Sequence, residues 1–420
     1  MQCHSGAPIV TPFVLENVYG AAAAGWSDAD LSNHVEAVIV WQDTPQAEPI
    51  ISKPLSIKNI TSSGYDGHGS VPFICFEVDR GLMPAEGAAV AGAGIREGNI
   101  LIAIRDYATK VILWSWHIWI TAQDTTPQQV MTEGSGRPSN WMLGYNLGWC
   151  EADVTQTTIY AQRVWYVRVN QVYGDATPVV FRVIQLGDEV VEKLSGDSGT
   201  YYQWGRKDPL LPSSGTNDMV VKDAFSPSSL PIYGIATETI HGRLRYKGVY
   251  MGSGLTSDDA SWSIQYPYAY LFNNGNWMNN NHPTNIWNMD NGGVKGGDIA
   301  VRKTVYDPCP PDYCVPHKMG FSYFSNVTDR VYGDFQLGWN YLTGYGNTSF
   351  FSASGAYGAD GTVGNVCWAG FYWTAAPSPD LDGPTGPVKG AHHLDFNPVV
   401  SLPANRNNRS YGFSVRPVLE

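Results

Sequence analysis

A β-rich α+β fold that opens on an Ig-like β-sandwich is what the sequence predicts, and three observations predict it. Only 15% of residues are charged while 13% are aromatic, with 15 Trp, 24 Tyr and 45 Gly, a composition suited to pleated strands and elaborate loops rather than to helical bundles. The first 120 residues break into short β-branched or aromatic runs divided by Gly/Ser/Asp clusters such as Ser62 to Ser70. From Pro209 onward turn signals outnumber periodic segments, and the many tryptophans there argue against disorder. At 420 residues the chain has room for two or three domains and a sizeable core.

Taken in order, strands are predicted at Val35 to Trp41, Val71 to Val78, Asn99 to Arg105 and Val111 to Ile120. Asp106 to Lys110 reads as the hairpin turn between the last two. These make residues 1–120 a sandwich domain. The polar, aperiodic stretch Gln123 to Gln129 is the linker, and 121–420 is a second domain. A hairpin is inserted at about 156–194, where Val164 to Val169 and Val179 to Ile184 flank Tyr173 to Pro178. In the Val111 to Ile120 run, alternation sends Trp114 and Trp116 to one face and Trp119 to the other, which favours packing over an open stacking platform. Phe413 to Val418 reads as a buried closing strand.

Charge and cysteine usage exclude several functions. With 38 acidic against 26 basic residues the formal net charge is −12, so the cations that neutralise phosphates are lacking and nucleic acid is not expected as a partner. The most apolar run, Val111 to Ile120, is half of the roughly 20 residues a membrane helix needs, so no direct membrane insertion is expected. The N-terminus lacks the basic and apolar regions of a secretion signal. That leaves either a cytoplasmic chain or a mature extracellular or cell-surface form from which the signal has been trimmed, and composition does not choose between them. Six cysteines (Cys3, Cys75, Cys150, Cys309, Cys314, Cys367) contain no CxxC pair, which argues against zinc or redox chemistry and leaves at most isolated bridges. No cofactor and no metal are expected.

Four stretches then carry a resemblance: Gly98 to Asp106 with Ile112 to Thr121, the run Tyr201-Tyr-Gln-Trp-Gly-Arg-Lys-Asp-Pro209, the run Lys303-Thr-Val-Tyr-Asp-Pro-Cys-Pro-Pro-Asp-Tyr-Cys-Val-Pro316, and Asn405 to Val418. Together they resemble the fimbrillin-associated surface proteins of gut bacteria. That resemblance implies a C-type-lectin-like domain related to formylglycine-generating enzymes. Gly370 to Pro377, His393 to Asn397 and Asn407 to Pro417 also resemble the variable region of diversity-generating-retroelement proteins, which implies a binding surface rewritten at asparagine-type codons. The chain departs from the pattern at Leu143 to Trp149, where the family carries an acidic-Arg-Asn-Leu-Gly segment, at Thr374-Ala-Ala, and at Cys314, which stands where a basic residue is common and brings a second thiol within five residues of Cys309.

Recognition residues are sought in 345–411, where rigid aromatic anchors sit in a Gly/Ser/Asn background. The candidates are Tyr345, Phe350, Phe351, Tyr357, Trp368, Phe371, Asp380, Asp382, His392, His393, Asn405 and Tyr411, with Trp368 or Phe371 expected to belong to the core. Trp204 and Trp373 read as framework. His392 and His393, adjacent on a strand, point to opposite faces, which disfavours a chelate with Asp395, and they are expected to face solvent. Asp380 and Asp382, in a proline- and glycine-rich loop, are suited to sugar hydroxyls or to a basic partner, with plain solvation the favoured reading. Catalysis by Cys309 and Cys314 is not expected, because the flanking acids and prolines oppose a stabilised thiolate, and there is no nucleophile elbow. The sequence thus points to a non-catalytic adhesin or fimbrial-tip protein whose partner is a protein or glycan on a host or bacterial surface. The alternatives are a structural pilus subunit that contacts other pilus subunits, and an oxidoreductase resembling the formylglycine-generating enzymes.

Overall fold

The structure is a computed structural model that describes residues 9–420 apart from a series of segments, among them 13–22, 62–69, 80–96, 133–139, 170–178, 212–219, 222–236, 252–259 and 379–389. Cys3, Cys367, Asp380 and Asp382 lie outside the described residues. Strands dominate the rest, and the two α-helices among the described residues are seven and five residues long. The β-rich class follows.

The first part is built from β1 (Ile9–Pro12), α1 (Asp28–His34), β2 (Val35–Gln42), β3 (Ser56–Thr61), β4 (Ser70–Phe76), β5 (Gly98–Asp106) and β6 (Ile112–Ile120). They form two antiparallel three-stranded sheets in the orders β1-β4-β3 and β2-β5-β6. Helix α1 starts at Ser27, whose hydroxyl accepts from Asp30 N–H while the Asp30 carboxylate accepts from Ser27 N–H, a reciprocal cap that fixes the helix start. Between the sheets lie Ile74 and Phe76 of β4, Ile100, Ile102 and Ile104 of β5, and Leu31 of α1. The alternate β5 residues, Leu101 and Ala103, face the other way and pack with Trp41, Leu211, Tyr268 and Trp277. Strand β5 is therefore buried on both faces, which is why its sequence is an unbroken apolar run rather than an alternating one. Residue 120 consequently falls at the end of a sheet whose far face is covered by Leu211, Tyr268, Leu271, Trp277 and Ile286.

That junction is also polar. Lys207 donates to the Ser115 carbonyl at 3.0 Å and to Asp208 at 2.7 Å, its ammonium stands 4.5 Å from the Trp114 ring centre, and Ser115 Oγ donates to Asp208 at 2.9 Å. Trp114 and Trp116 pack at the edge of the inter-sheet core and Trp119 against the opposite cluster, so the alternation read from sequence holds. The stretch Gln123 to Gln129 is less of a linker than expected. Gln128–Val130 is a strand paired with Asn140–Met142, because main-chain pairing needs no apolar side chain at a sheet edge.

The second part is centred on an antiparallel sheet of Gly370–Ser378, Gly390–Phe396 and Ser401–Asn408, with Gly390–Phe396 in the middle. On one face lie Tyr372, Leu394 and Phe396 among Phe321, Phe324, Trp339 and Phe351. On the other lie Trp373, Ala375 and Ala391 among Tyr202, Trp204, Trp287 and Phe413. The chain ends close back on earlier segments: Gly412–Phe413 pairs with Tyr202–Gln203, and Val418–Leu419 lies between Tyr313–Cys314 and Asn140–Met142. Residues 412–418 are all buried, as the sequence suggested, but they form two short strands, Gly412–Phe413 and Val418–Leu419, rather than the single closing strand expected over 413–418.

Three fully buried arginines hold the loops around this sheet. Arg206 donates to the carbonyls of Ala269 (2.6 Å), Tyr266 and Pro267 (both 3.2 Å). Arg409 reaches the Pro283 carbonyl at 2.8 Å and lies 4.2 Å from the Trp204 ring centre, and Arg416 binds the Phe350 carbonyl and Ser349 Oγ, each at 2.8 Å. A guanidinium offers five donors in a planar fork, so one side chain can satisfy buried carbonyls that no ladder pairs.

The inserted segment forms a two-stranded ribbon. Thr155–Tyr160 pairs with Asp188–Lys193, and Arg163–Val169 with Val179–Gln185. Tyr160 opposite Asp188 and Arg163 opposite Gln185 keep one offset, so the two antiparallel pairs share one register.

Candidate functional site

Of the twelve residues picked from sequence, the ten that the structure describes do not form one surface. Four are core: Phe351 (0% exposed), Tyr357 (1%), His392 (5%) and His393 (1%). Phe351 sits edge-on to Phe321, Phe324, Tyr341 and Tyr372. Tyr357 stacks on Tyr270 and donates its hydroxyl to the Leu211 carbonyl. The histidines do not face solvent because the sheet that carries them is covered on both sides. His393 lies among Phe371, Trp373 and Phe413, with ring centres at 6.2, 5.6 and 4.7 Å. His392 Nδ1 is 3.2 Å from the Ala404 carbonyl. Burial holds His393 down at about 3, with a contribution from neighbouring His392, and burial lowers His392 as well. Both are therefore neutral at physiological pH.

Two candidates are exposed on separate loops. Tyr345 (47% exposed) tops the hairpin between Gly338–Leu342 and Thr348–Ser352, flanked by Gly344 and Gly346 at φ 85° and 81°, a backbone region that glycine enters without penalty. Trp368 is 54% exposed; of the two residues expected to include a core one, it is Phe371 that packs against the core. Phe350 is half-buried against Tyr145 and Trp149.

The remaining three, Phe371, Asn405 and Tyr411, are half-buried and come together. Phe371 and Asp395 are cross-strand partners. Asn405 Nδ2 donates to Asp395 Oδ2 at 3.1 Å. Phe371 stacks on Phe413 at 5.1 Å, and Tyr411 meets the same Phe413 at 6.0 Å. The floor of this patch is rigid: Phe413 and Trp373 are both fully buried, and Trp373 Nε1 donates to the Tyr202 carbonyl at 2.7 Å. Partial burial raises the Asp395 carboxyl while Asn405 lowers it. Two aromatic rings, a carboxylate and a carboxamide on one framework can hold the apolar face of a ring while bonding its polar rim.

Asp395 is the residue that sequence reasoning passed over as a contact, having weighed it only as a metal partner of the histidines. The signal was present in the alternation His393, Leu394, Asp395, which returns Asp395 to the face of His393. Among the described residues no group of three His, Cys, Asp or Glu side chains is placed to hold a metal ion.

An open groove of about 890 Å³ lies elsewhere, lined by Met278, Ile286, Met289, Val305 and Tyr306 with Lys303 and Glu420. None of the twelve candidates lines it, and the Lys303 ammonium is turned onto the carbonyls of Cys309, Pro310 and Tyr313 at 2.6 to 2.7 Å. We therefore favour the Phe371 patch, where polar groups converge, over the groove. Cys309 and Cys314 are free thiols, not bridged. Burial together with Asp307 pushes the Cys309 thiol far up and Cys314 up to about 12, which leaves no thiolate at neutral pH.

No family model, curated protein or solved structure matches this chain.

Proposed function

We propose that the protein is a non-catalytic, ligand-binding surface protein of adhesin type, in which Phe371, Asp395, Asn405 and Tyr411 meet a protein or glycan ligand outside the cell. The observation that carries this reading is a contrast at one place: these four side chains reach solvent while Trp373, His393 and Phe413, which they pack around, are locked in the core. Preorganised aromatics on a stiff support are what recognition surfaces use, because little entropy is lost on binding. The resemblance to fimbrillin-associated proteins and to the C-type-lectin-like fold, with its Ig-like companion domain, agrees with this role. The test is to screen the purified chain against glycans and surface proteins. For any ligand found, Phe371→Ala, Asn405→Ala or Tyr411→Ala should each weaken binding about tenfold or more with little change in unfolding midpoint. Binding unaffected by all three would overturn the assignment and favour a subunit without its own ligand.

The edge strand Ser401–Asn408 supports diversification at the same place. Leu402 and Arg406 are exposed and Asn405, Asn407 and Asn408 half-buried, so substitutions there disturb little packing. A near-copy of the DNA encoding 365–411, differing at adenines and lying beside a reverse-transcriptase gene, is the expected genomic signature. Without it diversification fails, and the binding role stands on the patch alone.

A further inference from the structure

Asp395 is short of a cation. Its Oδ2 accepts from Asn405 Nδ2 at 3.1 Å, and among the described residues no lysine or arginine pairs with it. Burial raises its carboxyl, and no neighbouring positive charge pulls it back. His393, two positions along the same strand face, is neutral, and neither of its ring nitrogens has a hydrogen-bond partner. The cations Lys318 and Arg406 act instead on His392, which alternation turns to the opposite face. Arg409 is buried and donates to the carbonyls of Gly390 and Pro283. A half-buried carboxylate without a counter-ion has lost solvation that a bound cation would make good.

The ring beside it favours the same kind of ligand. Phe371 is the cross-strand partner of Asp395, so the two side chains stand side by side with Cβ atoms about 5 Å apart. Phe371 gives one ring face to Phe413, at 5.1 Å and 24°, and is only half-buried. An aromatic face carries partial negative charge that attracts a cation, and the adjacent carboxylate attracts it too. A sugar hydroxyl would find an acceptor here but leave the charge uncompensated.

We propose, building on the binding role assigned above, that the group recognised at this patch is an arginine side chain of a protein partner, its guanidinium forked onto Asp395 and flat against Phe371. A planar guanidinium can stack on a ring and donate to a carboxylate in its own plane at the same time. A lysine ammonium is a more strongly hydrated point charge without that plane. The net charge of −12 speeds the approach of a basic partner and disfavours acidic glycans.

N-acetyl-arginine amide and its uncharged near-isostere N-acetyl-citrulline amide, titrated into the full chain carrying isotope-labelled asparagine, test this through the Asn405 side-chain amide resonance. The arginine probe is expected to shift that resonance saturably at millimolar concentration. The citrulline probe should bind at least about tenfold more weakly, having lost both the charge pair and the cation–π contact. Asp395→Asn keeps the size of the side chain and should keep the unfolding midpoint while abolishing the preference. A wild type that does not distinguish the probes, or that shifts with neither, overturns the assignment, as does an Asp395→Asn variant that still prefers arginine. A glycan whose binding falls with Phe371→Ala but not with Asp395→Asn also overturns it, while leaving the patch as the ligand site. The wider binding role fails separately, if no ligand responds to Phe371→Ala, Asn405→Ala or Tyr411→Ala.

Discussion

Replacing Trp373 by alanine is expected to lower the unfolding free energy by about 3–5 kcal/mol, the range for removing a large aromatic from a packed core. The residue is fully buried, its ring centre is 4.2 Å from that of Phe413, and its indole N–H satisfies the Tyr202 carbonyl at 2.7 Å. Alanine leaves a cavity where the 370–378 strand meets the 412–413 strand, and it orphans a buried acceptor, worth a further 1 kcal/mol or so. Total stabilities of about 5–15 kcal/mol make this a large fraction. Trp373→Phe keeps most of the ring and loses the hydrogen bond, so it should cost about half as much. Guanidinium midpoints of the three proteins check the order. Trp165→Ala, on the exposed ribbon, is the matched control and should move the body's midpoint little.

Acidification should destabilise the fold through its buried histidines. His393 is held at about 3 by burial, and His117, whose ring nitrogens lie against Asn99 Oδ1 (2.9 Å) and the Tyr202 hydroxyl (2.8 Å), is held at about 3 for the same reason. Unfolded, each returns to its ordinary value of 6.5. Between those values the unfolded chain binds protons that the folded chain refuses, so stability present above pH 6.5 is lost as pH falls toward 3. The loss is roughly 1.4 kcal/mol per pH unit for each histidine. His392, also lowered, adds to it. Asp307 works against it. Burial raises its carboxyl from 3.8 to about 6, so the folded chain takes up that proton first and gains stability as pH falls from about 6 to 3.8. Partly buried Asp395 acts in the same direction. The histidines outweigh the two acids, and below 3.8 the acids cease to compensate. Urea midpoints from pH 7 to pH 4 should therefore decline, and His393→Phe, which keeps a ring among rings, should flatten the decline by one proton. A His393→Phe profile parallel to the wild type would show that this imidazole titrates freely.

Much of the first part was legible because burial there follows local pattern. The runs at 99–105 and 111–120 became β5 and β6 within a residue or two, and the 164–169 and 179–184 runs became the ribbon. The central sheet of the second part was not. Its edge strand, Ser401–Asn408, reads SLPANRNN, a proline and three asparagines with poor strand propensity, and it exists only because Gly390–Phe396 offers a ladder. The histidines were misplaced for a related reason. Alternation says which face a residue takes, but not whether that face has a cover. Here both faces do, so polar residue type gave the wrong side for His392 and His393. The same blindness set Trp368 among possible core residues when it stands on an exposed loop. The candidate patch was readable as Phe371, Asn405 and Tyr411, and alternation already put Asp395 on the face of His393, while its pairing with Phe371 and Asn405 needed the cross-strand register.

Arg206, Arg409 and Arg416 grip carbonyl oxygens of 266, 267, 269, 283 and 350. Every amino acid has a carbonyl oxygen. The segments so held are thus free to drift in spelling as long as their path is kept, whereas the three anchors cannot change: lysine has one nitrogen where the fork has three. Divergent versions of this molecule should be recognisable by the arginines more than by what the arginines touch.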